Sequence, residues 1–192
     1  PVEGRNAEGI NDLVMADEGI RFDASLDKLA GLNPVTEGGV ITAGNASQIT
    51  DGAAAVMVCN DAGLKKIQAS PRAEIVSISV VGDDPVFMLT GPIPASIQAL
   101  KAANLTIDDM DLYEVNEAFA PVPLAWAEDL KADRSKLNVN GGAMALGHPL
   151  GATGAKLMTT LLHEMERRES TYGLQAICEG GGTANATIIK RI

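Results

Sequence analysis

Three side chains that could take part in catalysis stand next to runs of small residues in this sequence. They are the amide of Asn116, the imidazole of His148 and the thiol of Cys178. Each is predicted to lie at a strand end or just before a helix, where neighbouring glycine and alanine residues admit a substrate. A neutral imidazole can act as a general base, and a thiol with a lowered pKa ionises readily. The three residues are therefore candidates for one catalytic site.

His148 lies within a stretch, residues 138–154, that contains five glycines and one proline. Such a backbone turns sharply several times before a regular element begins. Apolar residues at helical spacing then predict a helix over residues 150–168, with Pro149 at a first-turn position. The positive end of the helix dipole would disfavour imidazolium, which leaves His148 neutral and able to act as a base. The alternative is a capping histidine without chemistry.

Cys178 stands at the end of a predicted strand, followed by Glu179 and by three consecutive glycines, residues 180–182. Successive glycines let backbone N–H groups converge into an anion-binding nest, and a thiol near such donors is easier to ionise. The alternative is a flexible hairpin with an inert cysteine. Asn116 also ends a predicted strand, where open α/β sheets place their ligands. The alternative interpretation is that Asn116 is an ordinary turn asparagine.

The elements that would position these side chains are predicted from hydrophobic periodicity. The predicted strands span residues 73–81, 110–115, 174–178 and 184–189, and the predicted helices span residues 94–103, 121–131 and 150–168. Pro121 and Pro123 cannot both lie in a helix interior, so the middle helix should begin near Pro121. The order of elements implies an α/β layered domain with a mixed sheet, its last two strands an antiparallel pair.

The first 70 residues are less regular. Residues 1–48 are polar and punctuated by Gly, Pro and Asn, which is typical of surface loops or of the tail of an inserted domain, with at most a short helix over residues 25–29. Residues 53–59 form a continuous apolar run that predicts a strand buried on both faces, with Cys59 as a small packed residue at its end. A short helix is expected over residues 61–69.

Composition argues against several classes of protein. The 192 residues carry a formal charge of −10, and 46% of them are hydrophobic but only 3% aromatic. An acidic chain argues against nucleic-acid binding, and no apolar run approaches the roughly 20 residues of a membrane span. Two cysteines do not make a disulfide scaffold, which favours a reducing, cytoplasmic location. Because the sequence begins with Pro1, we expect a piece of a longer protein.

Several motifs resemble, in order and spacing, those of the thiolases. They are Thr42-Ala-Gly-Asn-Ala-Ser47, Asp51-Gly-Ala-Ala-Ala55, Asn116-Glu-Ala-Phe-Ala120, Asn138-Val-Asn-Gly-Gly142 leading into Gly147-His-Pro-Leu-Gly-Ala-Thr-Gly154, and Cys178-Glu-Gly-Gly-Gly182. The resemblance covers essentially the whole chain but only the second half of a thiolase. It implies a thiolase-like C-terminal domain over residues 71–192, a layered mixed sheet covered by helices. This domain would follow the end of the inserted loop domain, residues 1–48, and the last strand and helix of the N-terminal half, residues 49–70.

The resemblance also implies acyl transfer between coenzyme A thioesters, by thiolytic cleavage of a 3-ketoacyl-CoA or by Claisen condensation of acetyl-CoA. His148 would help to activate a nucleophilic cysteine of the missing half and contribute to an oxyanion hole. Cys178 would move the proton at the α-carbon or on the thiol of coenzyme A. Asn116 would hold a water in one oxyanion hole, and the N–H of Gly180 would contribute to the other.

Further expectations follow from the same resemblance. Ser47 would lie beside the pantetheine arm, and Met88 and Phe119 would lie near the acyl group. No metal and no permanently bound cofactor are implied, since coenzyme A and acyl-CoA are substrates. The complete subunit is expected to form a homo-oligomer. The isolated chain, without the first-half nucleophile, should be inactive, with residues 1–70 poorly packed, rearranged or completed by another chain.

The residue at position 178 and the presence of all three candidate catalytic residues distinguish an active thiolase from two other classes of protein. Condensing ketosynthases of the same superfamily commonly carry a second histidine where this chain has Cys178, which favours a thiolase. A non-catalytic thiolase-like module would bind an acyl-CoA or a lipid and present a surface to partners. Loss of Asn116, His148 or Cys178 would favour that reading, but all three residues are present.

Overall fold

The computed structural model describes residues 2–5, 8–17 and 19–192. The strands and helices follow in the order β1 (Val2–Arg5), β2 (Asn11–Val14), α1 (Leu26–Ala30), α2 (Asp61–Ile67), β3 (Ala73–Gly82), α3 (Pro92–Ala103), β4 (Leu112–Val115), α4 (Pro121–Leu130), α5 (Ala143–Leu146), α6 (Thr153–Arg168), β5 (Tyr172–Cys178) and β6 (Thr183–Arg191). The strands and helices predicted between residues 73 and 189 all form, and their ends differ from the prediction by at most three residues.

The second part of the chain is built on a four-stranded sheet in the order β3-β6-β5-β4. Strand β6 pairs antiparallel with both β3 and β5, whereas β4 and β5 run parallel. The predicted antiparallel pairing of the last two strands is therefore confirmed. The parallel pair matters most for the site, because the carboxyl ends of β4 and β5 reach the same edge of the sheet.

Helices cover both faces of this sheet. On one face, α3 and α4 enclose a core that includes Tyr113, Val115 and Trp126. The Trp126 indole donates a hydrogen bond to the Ser96 hydroxyl at 2.8 Å, which satisfies its polar atom within the core. On the other face, α6 packs its buried side chains against the sheet through the cluster Leu112, Leu161, Met165 and Ile189.

Helix α4 begins at Pro121, as predicted, and accommodates Pro123 as well. Both prolines lie in the first turn, where backbone N–H groups have no partner within the helix. Neither ring therefore removes a hydrogen bond. Four residues, 117–120, connect Asn116 to the helix.

The first 60 residues are largely exposed. Strands β1 and β2 form an antiparallel hairpin that the sequence did not predict, whereas α1 lies within one residue of the expected short helix. The predicted strand over residues 53–59 is wrong: residues 51–60 have no regular structure, and Cys59 is exposed rather than packed. Met57 and Val58 are 76% and 68% exposed. An apolar run forms a strand only where another strand accepts its backbone hydrogen bonds, and among the described strands none lies beside it.

Candidate active site

Asn116 and Cys178 lie at the shared edge of the two parallel strands. Asn116 directly follows β4, and its backbone N–H donates to the carbonyl of Ala176 at 3.0 Å, which extends the ladder one step further. Cys178 is the last residue of β5. The two residues therefore leave neighbouring strands at the edge that the sequence predicts.

His148 is placed by a backbone contact with the first part of the chain. Its N–H donates to the carbonyl of Gln48 at 2.8 Å, and the residue forms a parallel bridge with Ile49. Helix α6 begins at Thr153 rather than near residue 150, so the prediction that places Pro149 in its first turn is wrong. A separate turn, in which Ala152 and Thr153 donate to the Pro149 carbonyl, stands between the histidine and the helix.

The hydrogen bonds of His148 define its neutral tautomer. Its Nδ1 lies 2.6 Å from the Thr153 hydroxyl, and that hydroxyl donates its own hydrogen to the Pro149 carbonyl at 3.0 Å. The hydroxyl oxygen must therefore accept a hydrogen from Nδ1. The Nε2 lone pair is left to face the Asn116 side chain, whose Nδ2 lies 3.4 Å away. A neutral imidazole whose Nε2 is unprotonated, here facing the donor Asn116 Nδ2, is the form that a general base requires.

The pKa of His148 is lowered, first by burial and then by the positive charge of Lys156. The direction agrees with the sequence prediction, but the cause differs. The helix dipole is not needed, because the histidine lies five residues before the helix begins. Lys156 is the fourth residue of α6, so the helix supplies a discrete positive charge near the imidazole.

Asn116 is 1% exposed, and only one end of its amide is engaged. Its Nδ2 faces His148, whereas its Oδ1 has no hydrogen-bond partner among the described residues. Buried amide oxygens are nearly always paired with protein or ordered water. The free Oδ1 is therefore a place for a donor from a water or a substrate.

The thiol of Cys178 does not behave as the glycine motif predicts. Its pKa is raised, mainly by burial and further by the charge of Glu179, although a backbone hydrogen bond acts in the opposite direction. The expected easier ionisation is thus wrong for the chain as it stands. Burial outweighs the neighbouring N–H groups, because an ionised thiol loses more solvation than they return.

Side-chain alternation along the strands puts Cys178 and Asn116 in line with different core clusters. Cys178 packs with the core on the α3–α4 side, in line with Leu174 and Ala176. Asn116 is in line with Leu112, which packs under α6. In the part of the chain that the structure describes, no hydrogen bond links the Cys178 thiol to Asn116 or His148. The structure brings Asn116 and His148 into contact, and Cys178 lies at the same edge of the sheet.

The three glycines after Cys178 differ in how strongly their backbone angles and surroundings exclude a side chain. Gly181 and Gly182 adopt left-handed φ angles of 78° and 84°. A Cβ on Gly182 would also lie 2.6 Å from the backbone oxygen of Asp83, so the loop after β3 approaches closely there. A Cβ on Gly180 would meet nothing within 4 Å. Gly180, the predicted oxyanion-hole residue, is therefore exposed and open to a ligand on the side where its Cβ would stand.

The predicted substrate-binding residues fall into two groups. Ser47 donates its backbone N–H to Ala118 at 3.0 Å, and the preceding residue forms a bridge with Phe119, so Ser47 and Phe119 are neighbours just beyond Asn116. Met88 lies in the loop after β3, half-buried, with a positive φ of 31°. That loop is the one that approaches the glycines after Cys178.

Several residues within the recognised motifs hold the site in place, although the sequence alone predicts no role for them. Thr153 orients His148, as described above. The Glu117 carboxylate accepts from the Asn138 amide at 3.0 Å and from the Met144 N–H at 3.1 Å. A Cβ on Gly142 would lie 2.1 Å from the Glu117 carboxyl carbon. These contacts hold the glycine-rich loop, which contains Gly141, Gly142 and Gly147, against the segment after Asn116. No sequence spacing reveals the contacts, because the partners are more than twenty residues apart.

The lengths and compositions of the helices bear on whether the chain could cross a membrane. Over residues 2–5, 8–17 and 19–192, no helix has both the length and the apolar character needed to cross a bilayer.

Comparisons with known proteins agree with the fold and the motifs. Residues 69–191 match the family model of the thiolase C-terminal domain, and residues 1–62 match that of the thiolase N-terminal domain. The chain is 60% identical to a steroid 3-ketoacyl-CoA thiolase of Mycobacterium tuberculosis over 92% of its own length and 43% of that protein.

Solved structures give the same result. The acetyl-CoA acetyltransferase of Bacillus anthracis superposes with a TM-score of 0.90 at 40% identity, over 100% of this chain and 48% of that one. The human mitochondrial 3-ketoacyl-CoA thiolase in complex with CoA gives 0.85 at 46% identity, over 93% of this chain and 46% of that one. The chain thus spans about half the length of these relatives. With both family domains matched in order along it, the chain belongs to the thiolase family.

Proposed function

We propose that this chain supplies one half of the active site of an acyltransferase that acts on coenzyme A thioesters. The reaction is thiolytic cleavage of a 3-ketoacyl-CoA or Claisen condensation of acetyl-CoA. The observation that carries the proposal is the contact between Asn116 and the Nε2 atom of a neutral, oriented His148. Relatives named as 3-ketoacyl-CoA thiolases and acetyl-CoA acetyltransferases support it.

In this proposal the imidazole moves the first proton. The Nε2 lone pair of His148 accepts the proton of a nucleophilic thiol from the missing half, and Nδ1–H remains hydrogen-bonded to Thr153. The imidazolium then donates from Nε2 toward the thioester oxygen. The lowered pKa of His148 makes this proton easy to return, which suits a group that must act as base and acid in turn.

Asn116 and Cys178 act on the other reacting atoms. The free Oδ1 of Asn116 accepts one hydrogen of a water, whose second hydrogen points to the developing oxyanion. The N–H of Gly180 contributes to a second oxyanion hole. The Cys178 thiol, with its raised pKa, is protonated at the start of thiolysis and gives its proton to the α-carbon of the departing enolate. In condensation the transfer runs the other way.

The remaining parts of the proposal concern binding and assembly. Ser47 contacts the pantetheine arm, and Met88 and Phe119 line the acyl pocket. Residues 1–48 belong to the loop domain, 49–70 to the end of the N-terminal half, and 71–192 to the C-terminal domain. The exposed apolar segment over residues 53–59 is covered by the missing half. The complete protein is a cytoplasmic homo-oligomer that binds no metal.

The experiment is reconstitution with a thiolase N-terminal half that carries the nucleophilic cysteine. Thiolysis of acetoacetyl-CoA should appear on mixing or co-expression, and Cys178→Ala or His148→Ala should lower kcat by about 10²–10⁴. His163→Ala is the matched control, because His163 is exposed on α6 and outside the site; it should retain activity. CoA binding without turnover in the reconstituted protein would favour the non-catalytic module instead.

The chain alone provides a second check. Incubated with acetyl-CoA, it should form no stable covalent acetyl adduct in a mass spectrum, because the proposed nucleophile is in the other half. A stable acetyl thioester on Cys178 or Cys59, accompanied by turnover, would contradict this division of roles.

A further inference from the structure

A row of polar side chains is buried beneath helix α6. Glu114 of β4 lies opposite Gln175 of β5, and Gln175 lies opposite Thr187 of β6. Their exposed fractions are 2%, 5% and 9%. Polar groups removed from water to this degree are costly unless they are hydrogen-bonded.

Neighbouring contacts establish which face the row occupies. A Cβ on Gly173, two residues before Gln175, would lie 2.6 Å from the Met165 sulfur of α6. A Cβ on Gly154 of α6 would lie 3.6 Å from the side chain of Ile177, two residues after Gln175. Gln175 therefore lies on the face covered by α6, and its parallel partner Glu114 lies on the same face.

Two oxygens in this row lack a donor. Glu114 Oε2 and Gln175 Oε1 are both fully buried and have no hydrogen-bond partner among the described residues. An ionised carboxylate and an amide oxygen are both acceptors, so as neighbours they cannot satisfy each other. A carboxylic acid O–H can donate to an amide oxygen. One proton on Glu114 would therefore satisfy both oxygens at once.

Burial and two nearby carboxylates favour the same protonation state. Lys156 of α6 is the positive group that opposes it, whereas Glu164 of α6 and Glu117, just after β4, are negative. Burial is the largest effect, and together these influences raise the pKa of Glu114 to about 8. Lys156 favours the ionised form but does not compensate for the lost solvation.

We propose that Glu114 is protonated in the folded chain at neutral pH and donates its carboxyl hydrogen to the amide oxygen of Gln175. This hydrogen bond links β4 to β5 two residues before Asn116, on the face of the sheet that α6 covers. Glu114 is thus a positioning residue for the edge of the sheet. Its importance to catalysis rests on the proposed function, whereas its protonation does not.

Infrared spectroscopy of the full 192-residue chain tests the protonation directly. At about pH 6.5, well above the ordinary range for a glutamate, the folded chain should show the carbonyl stretch of a protonated carboxylic acid. That band should be lost in Glu114→Gln, which keeps the shape and a neutral N–H donor. Absence of the band from the folded wild-type chain at this pH would overturn the proposal.

The partner is tested with Gln175→Met, which removes the acceptor at similar volume. The carboxylic acid band should persist but move to higher frequency, because its O–H no longer donates to an amide. An unmoved band would show that another group, such as a buried water, accepts the proton, and the assignment of Gln175 would be wrong. The frequency shift in Gln175→Met also assigns the carboxylic acid band to Glu114 if the Glu114→Gln variant does not fold.

The pH dependence of unfolding gives an independent measure. The folded chain keeps a proton that the unfolded chain releases above about pH 4.5, so stability contributed by Glu114 is full below that value and declines up to about pH 8. Relative to Glu114→Gln, the wild-type unfolding constant should rise by up to about tenfold per pH unit in this window. Parallel curves for the two proteins would contradict the proposal. Because no activity is measured, failure of the acyltransferase proposal would leave these results unaffected.

Discussion

The Asn116 amide and the His148 imidazole meet at 3.4 Å although they are 32 residues apart in the sequence. Asn116 directly follows strand β4. His148 comes from the loop before α6 and is held by a hydrogen bond from its backbone N–H to the carbonyl of Gln48. The pair is therefore assembled from three separate segments of the chain. Groups fixed in this way need little rearrangement when charge develops in a reaction.

A carboxylate in place of the amide should reverse the electrostatics of this pair. In Asn116→Asp, a negative charge close to Nε2 would stabilise imidazolium, so the pKa of His148 should rise by about one unit or more. NMR titration of the two imidazoles measures it, with exposed His163 as the internal control. A His148 pKa equal to or below that of the wild-type chain would contradict the contact.

The hydroxyl of Thr153 should determine the tautomer of His148. Thr153→Val keeps the side-chain shape but removes the acceptor for Nδ1–H, so the population with the proton on Nε2 should increase. Nitrogen-15 chemical shifts of the imidazole report the change. Thr159→Val is the matched control on the same helix, because Thr159 makes a similar bond to the Ala155 carbonyl at 2.8 Å. If both variants keep the wild-type tautomer, Thr153 does not orient the ring.

Gly142 should tolerate no side chain. Its Cβ would lie 2.1 Å from the carboxyl carbon of Glu117, which is held by Asn138 and Met144. We expect Gly142→Ala to lower the free energy of unfolding by about 2 kcal/mol or more, measured by urea denaturation. Gly151→Ala, where a Cβ would meet nothing within 4 Å, should change it by less than about 0.5 kcal/mol. Equal effects at the two positions would refute the close contact.

The two cysteines should differ in reactivity. Cys59 is exposed, whereas Cys178 is half-buried and has a raised pKa. At neutral pH iodoacetamide should modify Cys59 about tenfold or more faster, and the Cys178 rate should increase as the pH rises. Peptide mapping by mass spectrometry separates the sites. Faster labelling of Cys178 would show that the glycine loop does lower its pKa.

Acid should weaken the attachment of α6 to the glycine-rich loop. Glu164 is 4% exposed and accepts from Arg167 at 2.8 Å and from Asn140 at 3.1 Å. The Arg167 bond is the main reason that its pKa falls to about 2. Stability from Glu164 is full above about pH 4.5 and is lost as the pH falls toward about 2.

Glu164→Gln keeps the volume of this side chain but removes its charge. We expect a cost of about 2 kcal/mol at neutral pH and a weaker acid dependence of unfolding. Glu128→Gln is the control, since Glu128 forms an exposed ion pair with Lys131. A wild-type acid profile in Glu164→Gln would contradict the assignment.

The elements between residues 73 and 189 were predictable from sequence because their signals are local. Apolar periodicity, prolines at a helix start and glycines after a strand act within a few residues of chain. The run over residues 53–59 carries an equally clear signal but forms no strand. A strand needs a partner, and the described part of this chain offers none beside that run.

By itself, the sequence determined which side chains could do chemistry, the order of the elements that carry them and the family that the motifs resemble. Tertiary structure decided how those side chains behave. Thr153 selects the tautomer of His148, burial raises the pKa of Cys178, and strand register places Glu114 beside Gln175. Each of these properties depends on groups brought together from distant parts of the chain, and a pKa or a hydrogen bond responds to distance and solvation rather than to sequence order.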